Sequence, residues 1–215
     1  MTEIQKIFAS FMYVGEGIAA LVSLIYYNRV KKQHWKYLAI YLVLIFLCES
    51  AVKWGEKPLK IDRIYFYNYF VIPLQFIFFY WLYAKKSLKK VKLFYIMTGA
   101  YLLTYLLKAL FFPEKKVIFS FNYNIGCLFL MALVIMEYYK QVNSSDILNF
   151  SKNKMFYINL GITLFYIANQ PFMAFNSLLW KYIEIWDIYF IYFQVSGAVM
   201  YILFASSFIW GKQSS

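Results

Sequence analysis

This chain is poor in the residues that build fixed chemical centres. Its 215 residues include two cysteines, one histidine and two arginines. A disulfide framework and a cysteine or histidine metal set are therefore excluded as organising features. Cys48 and Cys127 match no metal or redox spacing and read as small apolar residues. His34 stands among Arg29, Lys31, Lys32 and Lys36 with no carboxylate or cysteine beside it, which makes it a poor base or ligand. No motif supplies a nucleophile or cradles a phosphate, so neither a metal nor a cofactor is expected. Long polar stretches are also lacking: the longest connection, Lys140 to Asn153, leaves no room for a soluble domain.

Apolar length is what the chain has in quantity. Hydrophobic residues make up 63% of it and its mean hydropathy is +0.55, whereas a soluble domain is about half apolar. A bilayer core about 30 Å thick is crossed by about 20 helical residues. Runs of that length lie at Ile7 to Arg29, Lys36 to Trp54, Tyr65 to Ala84, Lys92 to Phe112, Val117 to Tyr139, Lys154 to Ser177 and Trp186 to Trp210. The pattern predicts an all-α, polytopic seven-transmembrane-helix bundle forming a single domain over residues 1–215. The first run has no basic leader and carries Glu16 inside its apolar stretch, so it is expected to be a permanent span rather than a signal peptide.

Aromatic residues reach 24%. Lysine in place of arginine, together with abundant Phe, Tyr and Ile, matches AT-rich codon use, and the rings are expected to fill lipid-facing positions rather than stack on a cofactor. Trp35, Trp54, Trp81, Trp180, Trp186 and Trp210 fall near the ends of spans and predict an interfacial belt.

Charge predicts orientation. Arg29, Lys31, Lys32, Lys36, Lys85, Lys86, Lys89, Lys90, Lys92, Lys140, Lys152, Lys154 and Lys212 belong to one side. Lys6, Lys53, Lys57, Lys60, Arg63, Lys115, Lys116 and Lys181 belong to the other, with Glu3, Glu56, Asp62, Glu114, Glu184 and Asp187. The positive-inside rule places the first set in the cytoplasm, the N-terminus outside and the C-terminus inside. The formal charge of +12 then forms a collar facing anionic lipid. Direct nucleic-acid binding is not expected, because the lysines sit on short connections rather than on a separate domain.

Polar residues within the runs cluster toward the outer side. Glu16 falls near mid-membrane. Glu49, Lys53, Asn68, Gln75, Lys108, Asn122, Asn124, Asn169, Gln170, Asp187 and Gln194 fall in the outer part, while Ser23, Asn159 and Glu137 are nearly all that the inner half holds. Ionisable groups at span depth cost a few kcal/mol and normally face the bundle interior. Glu49 has Lys53 four residues on along one helical face. Glu16 has no such partner, and Gly15 and Gly17 beside it predict close approach of another helix. Interhelical glue accounts for any one of these residues but gives no reason for the set to avoid the inner half. The set predicts an outward-facing ligand cavity formed by Glu16, Glu49, Asn68, Gln75, Asn169, Gln170, Asp187 and Gln194, over an apolar inner plug. Pro73 and Pro171 beside it are expected to release backbone carbonyls.

Asn68 and Gln75 share the seven-residue spacing of Asp187 and Gln194, and superposing them brings Glu49 within one position of Asn169. This suggests a 3+1+3 parallel repeat about the fourth span.

The segment Tyr-Phe-Tyr-Asn-Tyr-Phe-Val-Ile-Pro-Leu-Gln-Phe-Ile-Phe-Phe-Tyr, from Tyr65 to Tyr80, resembles one in small aromatic-rich seven-helix inner-membrane proteins of Bacteroidota. That resemblance implies a bacterial inner-membrane location and no particular activity. Pro73-Leu74-Gln75-Phe76 is also similar to the proline and acidic-pair segment of membrane lycopene cyclases, but glutamine replaces one acid and the second is missing, which removes that chemistry. The last span has no lysine for the retinal Schiff base of a microbial rhodopsin.

The residues thus favour a receptor-like or accessory module whose partners are the lipid bilayer, a small-molecule or lipid ligand and a cytoplasmic protein. A small-solute transporter is the first alternative. The second is a membrane enzyme acting on a lipid or isoprenoid, with Glu16 and Glu49 as acid and base.

Overall fold

The computed structural model describes residues 3–55, 62–111, 121–144, 147–179 and 181–211. Among these the chain is all-helical and has no strand. We label the main helices α1, Glu3–Ile25; α2, Lys36–Gly55; α3, the run 63–87; α4, Val91–Phe111; α5, Phe121–Val142; α6, the run 154–167; and α7, Ile183–Ile209. Shorter helices lie at Tyr27–Val30, Gln170–Ala174 and Asn176–Leu179. The expected end of the fourth span at Phe112, the expected start of the fifth at Val117, Trp180, and the charges Glu56, Lys57, Lys60, Glu114, Lys115, Lys116, Asp146 and Lys212 lie outside the described residues, as do the side chains of Glu3 and Lys6.

Among the described residues, five uninterrupted helices are long and apolar enough to cross a membrane: Ile7–Ile25, Lys36–Gly55, Val91–Phe111, Phe121–Val142 and Ile183–Ile209. The other two expected spans are helical but broken into shorter segments. Their π-helical turns, Tyr67–Val71 in α3 and Thr163–Ile167 in α6, precede Pro73 and Pro171. Proline has no N–H to give the carbonyl four residues back, here that of Tyr69 or Ile167, and each lies inside its π turn. Widening the turn there is how the helix absorbs the lost bond. A further π stretch, Trp81–Ser87, ends α3 with Lys89 in the left-handed region at φ 57°.

Burial on α1 is inverted relative to a soluble protein. Ile7, Phe11, Val14, Ile18, Leu21 and Ile25 are exposed, while Glu16, Ala19, Ala20 and Ser23 are buried. An apolar stripe outside with small and polar residues inside is what lipid as solvent selects. It identifies a polytopic membrane protein.

The helices group into two compact units: residues Met1–Ser50 with Ser144–Ser215, and residues Ala51–Asn143. This grouping runs across the 3+1+3 division. In unit 1, α1 and α7 run in the same direction, since Gln5 bonds Asp187 and a Cβ on Gly15 would meet Ala198. The α2 helix runs against α1, through Tyr13 with Ser50 and Ser23 with Ala39. The α6 helix runs against α7, through Asn169 with Ser196 and Lys154 with Ser207. Glycine makes these approaches close: a Cβ on Gly161 would lie 3.3 Å from the Met200 carbonyl oxygen.

In unit 2, α3 and α5 are parallel and α4 opposes both. Rings fill the core, with Phe76 5.4 Å from Tyr101 and 5.5 Å from Tyr123. Their hydroxyls are used: Tyr80 donates to the Gly126 carbonyl at 2.8 Å, and Tyr105 to that of Asn68 at 2.8 Å. One end is tied by Glu137, which is 1% exposed. Its carboxylate accepts from Ser87 Oγ at 2.6 Å and Gln141 at 3.1 Å, and lies 3.5 Å from the Lys140 ammonium.

Candidate functional site

Within unit 1, α1 is held on two sides at the level of Glu16. Gly15 lets the Ala198 backbone of α7 approach, and Gly17 lets the Phe46 ring of α2 approach, a Cβ at either site meeting its neighbour at 3.2–3.3 Å. The side chain between them is drawn inside, and Glu16 is 2% exposed. Neither carboxyl oxygen hydrogen-bonds to any described residue. The groups acting on it electrostatically are the Glu49 carboxyl of α2 and the Tyr201 hydroxyl of α7, the latter near but not in bonding geometry. Tyr41 of α2 and Tyr166 of α6 complete the surroundings, close to one another and to Tyr201. All three tyrosines are buried.

Where α6 and α7 meet away from Lys154, Asn169 is buried. Its amide nitrogen donates to the Phe165 carbonyl at 2.7 Å and to Ser196 Oγ at 2.8 Å, while its oxygen bonds to no described residue. Asp187 accepts from Gln5 at 2.7 Å and fastens α7 to α1. Glu49, Gln170 and Gln194 are half-buried. Unit 1 thus contains six of the eight residues singled out from sequence. Asn68 and Gln75 belong to unit 2, where Asn68 is buried and Gln75 half-buried. Lys53 is exposed, its ammonium 5.8 Å from the Trp54 ring.

Tyr41, Tyr166 and Tyr201 are absent from the sequence-derived set, because 22 tyrosines make any single one look like lipid-facing filler. Spacing does carry a signal. Tyr41 precedes Glu49 by eight residues, Tyr166 precedes Asn169 by three, and Tyr201 follows Gln194 by seven. Each therefore shares a helical face with a polar residue already marked.

The other end of unit 1 holds two of the polar residues expected in the inner half. Ser23 and Asn159 are both 0% exposed. Ser23 donates to the Ala20 carbonyl at 2.8 Å, whereas neither amide atom of Asn159 bonds to a described residue. Lys154 reaches the last carbonyls of α7, donating to Ser207 at 3.2 Å and also to Gly211. A cation at a helix C-terminus satisfies carbonyls left without an intrahelical donor.

A buried carboxyl beside hydroxyls, without bonded donors, keeps acceptor capacity that a cation or a hydrogen-bond donor would satisfy. Among the described residues, no cluster of three His, Cys, Asp or Glu could hold a metal ion. No protein-family model matches the chain, and comparison with curated proteins and with solved structures finds no match.

Proposed function

We propose that the chain is a receptor-like membrane module that takes a small ligand, bearing an ammonium or several hydrogen-bond donors, at the Glu16 centre of unit 1. The carrying observation is the Glu16 carboxyl, buried without a bonded donor and faced by tyrosine hydroxyls. Glu49, Asn169, Gln170, Asp187 and Gln194 provide its polar approach. Asn68 and Gln75 are assigned to ligand binding from their sequence pattern. The reading places seven spans in a bacterial inner membrane, counting α3 and α6 with its following helix as the two interrupted ones, with the N-terminus outside. The alternating helix directions within each unit support it. The lysine-rich ends face the cytoplasm, where a protein partner or anionic lipid meets them. The spacing shared by Asn68 with Gln75 and Asp187 with Gln194 supports the 3+1+3 repeat.

Passage of a solute is the second reading, and one observation favours it. Asn159 provides an unbonded buried amide toward the other end of the same unit.

The test is thermal unfolding of the purified chain in nanodiscs against ethanolamine, choline, sodium and glycerol. At least one ammonium probe is expected to stabilise the protein saturably, by about 2.7 kcal/mol at one hundred times its Kd. Glu16→Gln is expected to remove that gain while remaining folded. Equal stabilisation of both proteins, or of neither, contradicts the reading. If proteoliposomes instead show probe flux that Asn159→Leu blocks without loss of binding, transport takes its place.

A further inference from the structure

A groove on the outside of unit 1 has no part in the Glu16 centre. Leu24 and Tyr27 form one wall, and Ile40, Val43, Leu44 and Leu47 of α2 the other. Its floor is low because Ala39, 1% exposed, puts only a methyl group between the helices. The groove is apolar and open to the surface: Leu24, Ile40 and Leu47 are each about half exposed. From Ile40 to Leu47 it follows α2 for about 10 Å, at about 1.5 Å per residue.

One end of the groove meets the connection between α1 and α2. Tyr27 begins the short helix Tyr27–Val30, and Arg29, Lys31 and Lys32 follow, all exposed, with Lys36 half-buried one turn before Ile40. Four cationic residues therefore lie on the chain segment that adjoins the apolar trough, with the Arg29 guanidinium over the Tyr26 ring and the Lys36 ammonium over the Tyr37 ring. The nearest acids along the chain are Glu16 and Glu49, both far from this connection in sequence. The same connection carries one unused donor, the indole N–H of Trp35, which is 5% exposed and bonds to no described residue. This tryptophan is thus buried where an interfacial belt was expected.

We infer that this groove and connection form a binding site for one anionic phospholipid, an acyl chain lying along Leu24, Tyr27 and the α2 wall and the headgroup phosphate meeting Arg29, Lys31, Lys32 and Lys36. The charge chooses the occupant. A zwitterionic lipid brings its own cation to the basic connection and gains little there, whereas each lysine or arginine near an anionic headgroup adds attraction. The trough accounts for a single held lipid, since a basic collar alone attracts a diffuse layer. The assignment narrows the lysine-rich face to one place and is independent of the Glu16 reading, because it uses none of those residues.

The experiment uses the full chain, delipidated in a neutral detergent and titrated with phosphatidylglycerol or phosphatidylcholine of matched chains, followed by thermal unfolding and native mass spectrometry. Phosphatidylglycerol is expected to bind about tenfold or more tightly, saturating at one lipid per chain, with the preference shrinking as salt rises. Arg29→Gln with Lys31→Gln and Lys32→Gln is expected to abolish the preference. Leu44→Trp, which fills the trough, is expected to remove the saturable step. A chain-length series needs no variant: long-chain phosphatidylglycerol is expected to bind, and short-chain lipid or free glycerol phosphate to fail at the same concentration. Equal binding of the two headgroups, uptake without saturation, or full replacement of the lipid by glycerol phosphate would each overturn the site.

Discussion

Replacing Glu137 by Met is expected to lower the unfolding free energy by about 2–4 kcal/mol, measured by reversible unfolding in mixed micelles. The carboxylate is buried and fully engaged with Ser87, Gln141 and Lys140, and bonds to a charged group are worth about 1.5–3 kcal/mol net. The Lys140 contact contributes least, because that side chain is half exposed and screened by solvent. Lys140 also bonds the Ser87 carbonyl and hydroxyl, so losing the carboxylate disorganises the junction of α3 with α5. A change below about 0.5 kcal/mol, the range of an ordinary surface substitution, would show that the network holds nothing together.

Gly15→Leu is expected to cost about 3 kcal/mol or more, and Gly15→Ala much less. The Cβ at this site would lie 3.3 Å from both Cα and the carbonyl oxygen of Ala198. These are backbone atoms, which cannot turn aside as a side chain can. Overpacking costs about 1–3 kcal/mol, occasionally more, and leucine brings three further carbons into the same gap. Alanine presses on Ala198 but recovers up to about 1 kcal/mol of helix propensity. Gly99 is the control, since a Cβ there meets nothing within 4 Å, and Gly99→Ala is expected to stabilise by about 0.5–1 kcal/mol. If Gly15→Leu unfolds at the same midpoint as the wild type, close packing of α1 on α7 is not what draws Glu16 inside.

Helix type and the membrane environment were legible in residue order because each rests on a long run of one property. The interruptions in α3 and α6 were legible only in part. Pro73 and Pro171 marked where they fall, but a π turn depends on which carbonyls find donors, and that is settled in three dimensions. Glu16 stood out because acids are scarce at span depth. Its tyrosine surroundings did not, because tyrosine is common throughout the chain and only its packing distinguishes Tyr201 from a lipid-facing ring. Asn159 and Glu137 were placed in the sequence by depth alone. Depth estimated along a helix says nothing about which face a residue occupies, and both proved to be core.

Glu16 and Glu137 make the account testable as a pair, being the same residue type, both buried, with opposite bonding. A buried polar group left unbonded costs about 1–3 kcal/mol, whereas an apolar group of similar shape avoids that cost. The measurement is the unfolding free energy of Glu16→Met without ligand, beside wild type, in one lipid mixture. If Glu16 is kept for a ligand at the expense of stability, the variant is more stable than wild type by about 1–3 kcal/mol. If it is less stable by a similar amount, Glu16 is a structural tie to Tyr201, and the binding centre proposed for unit 1 does not exist.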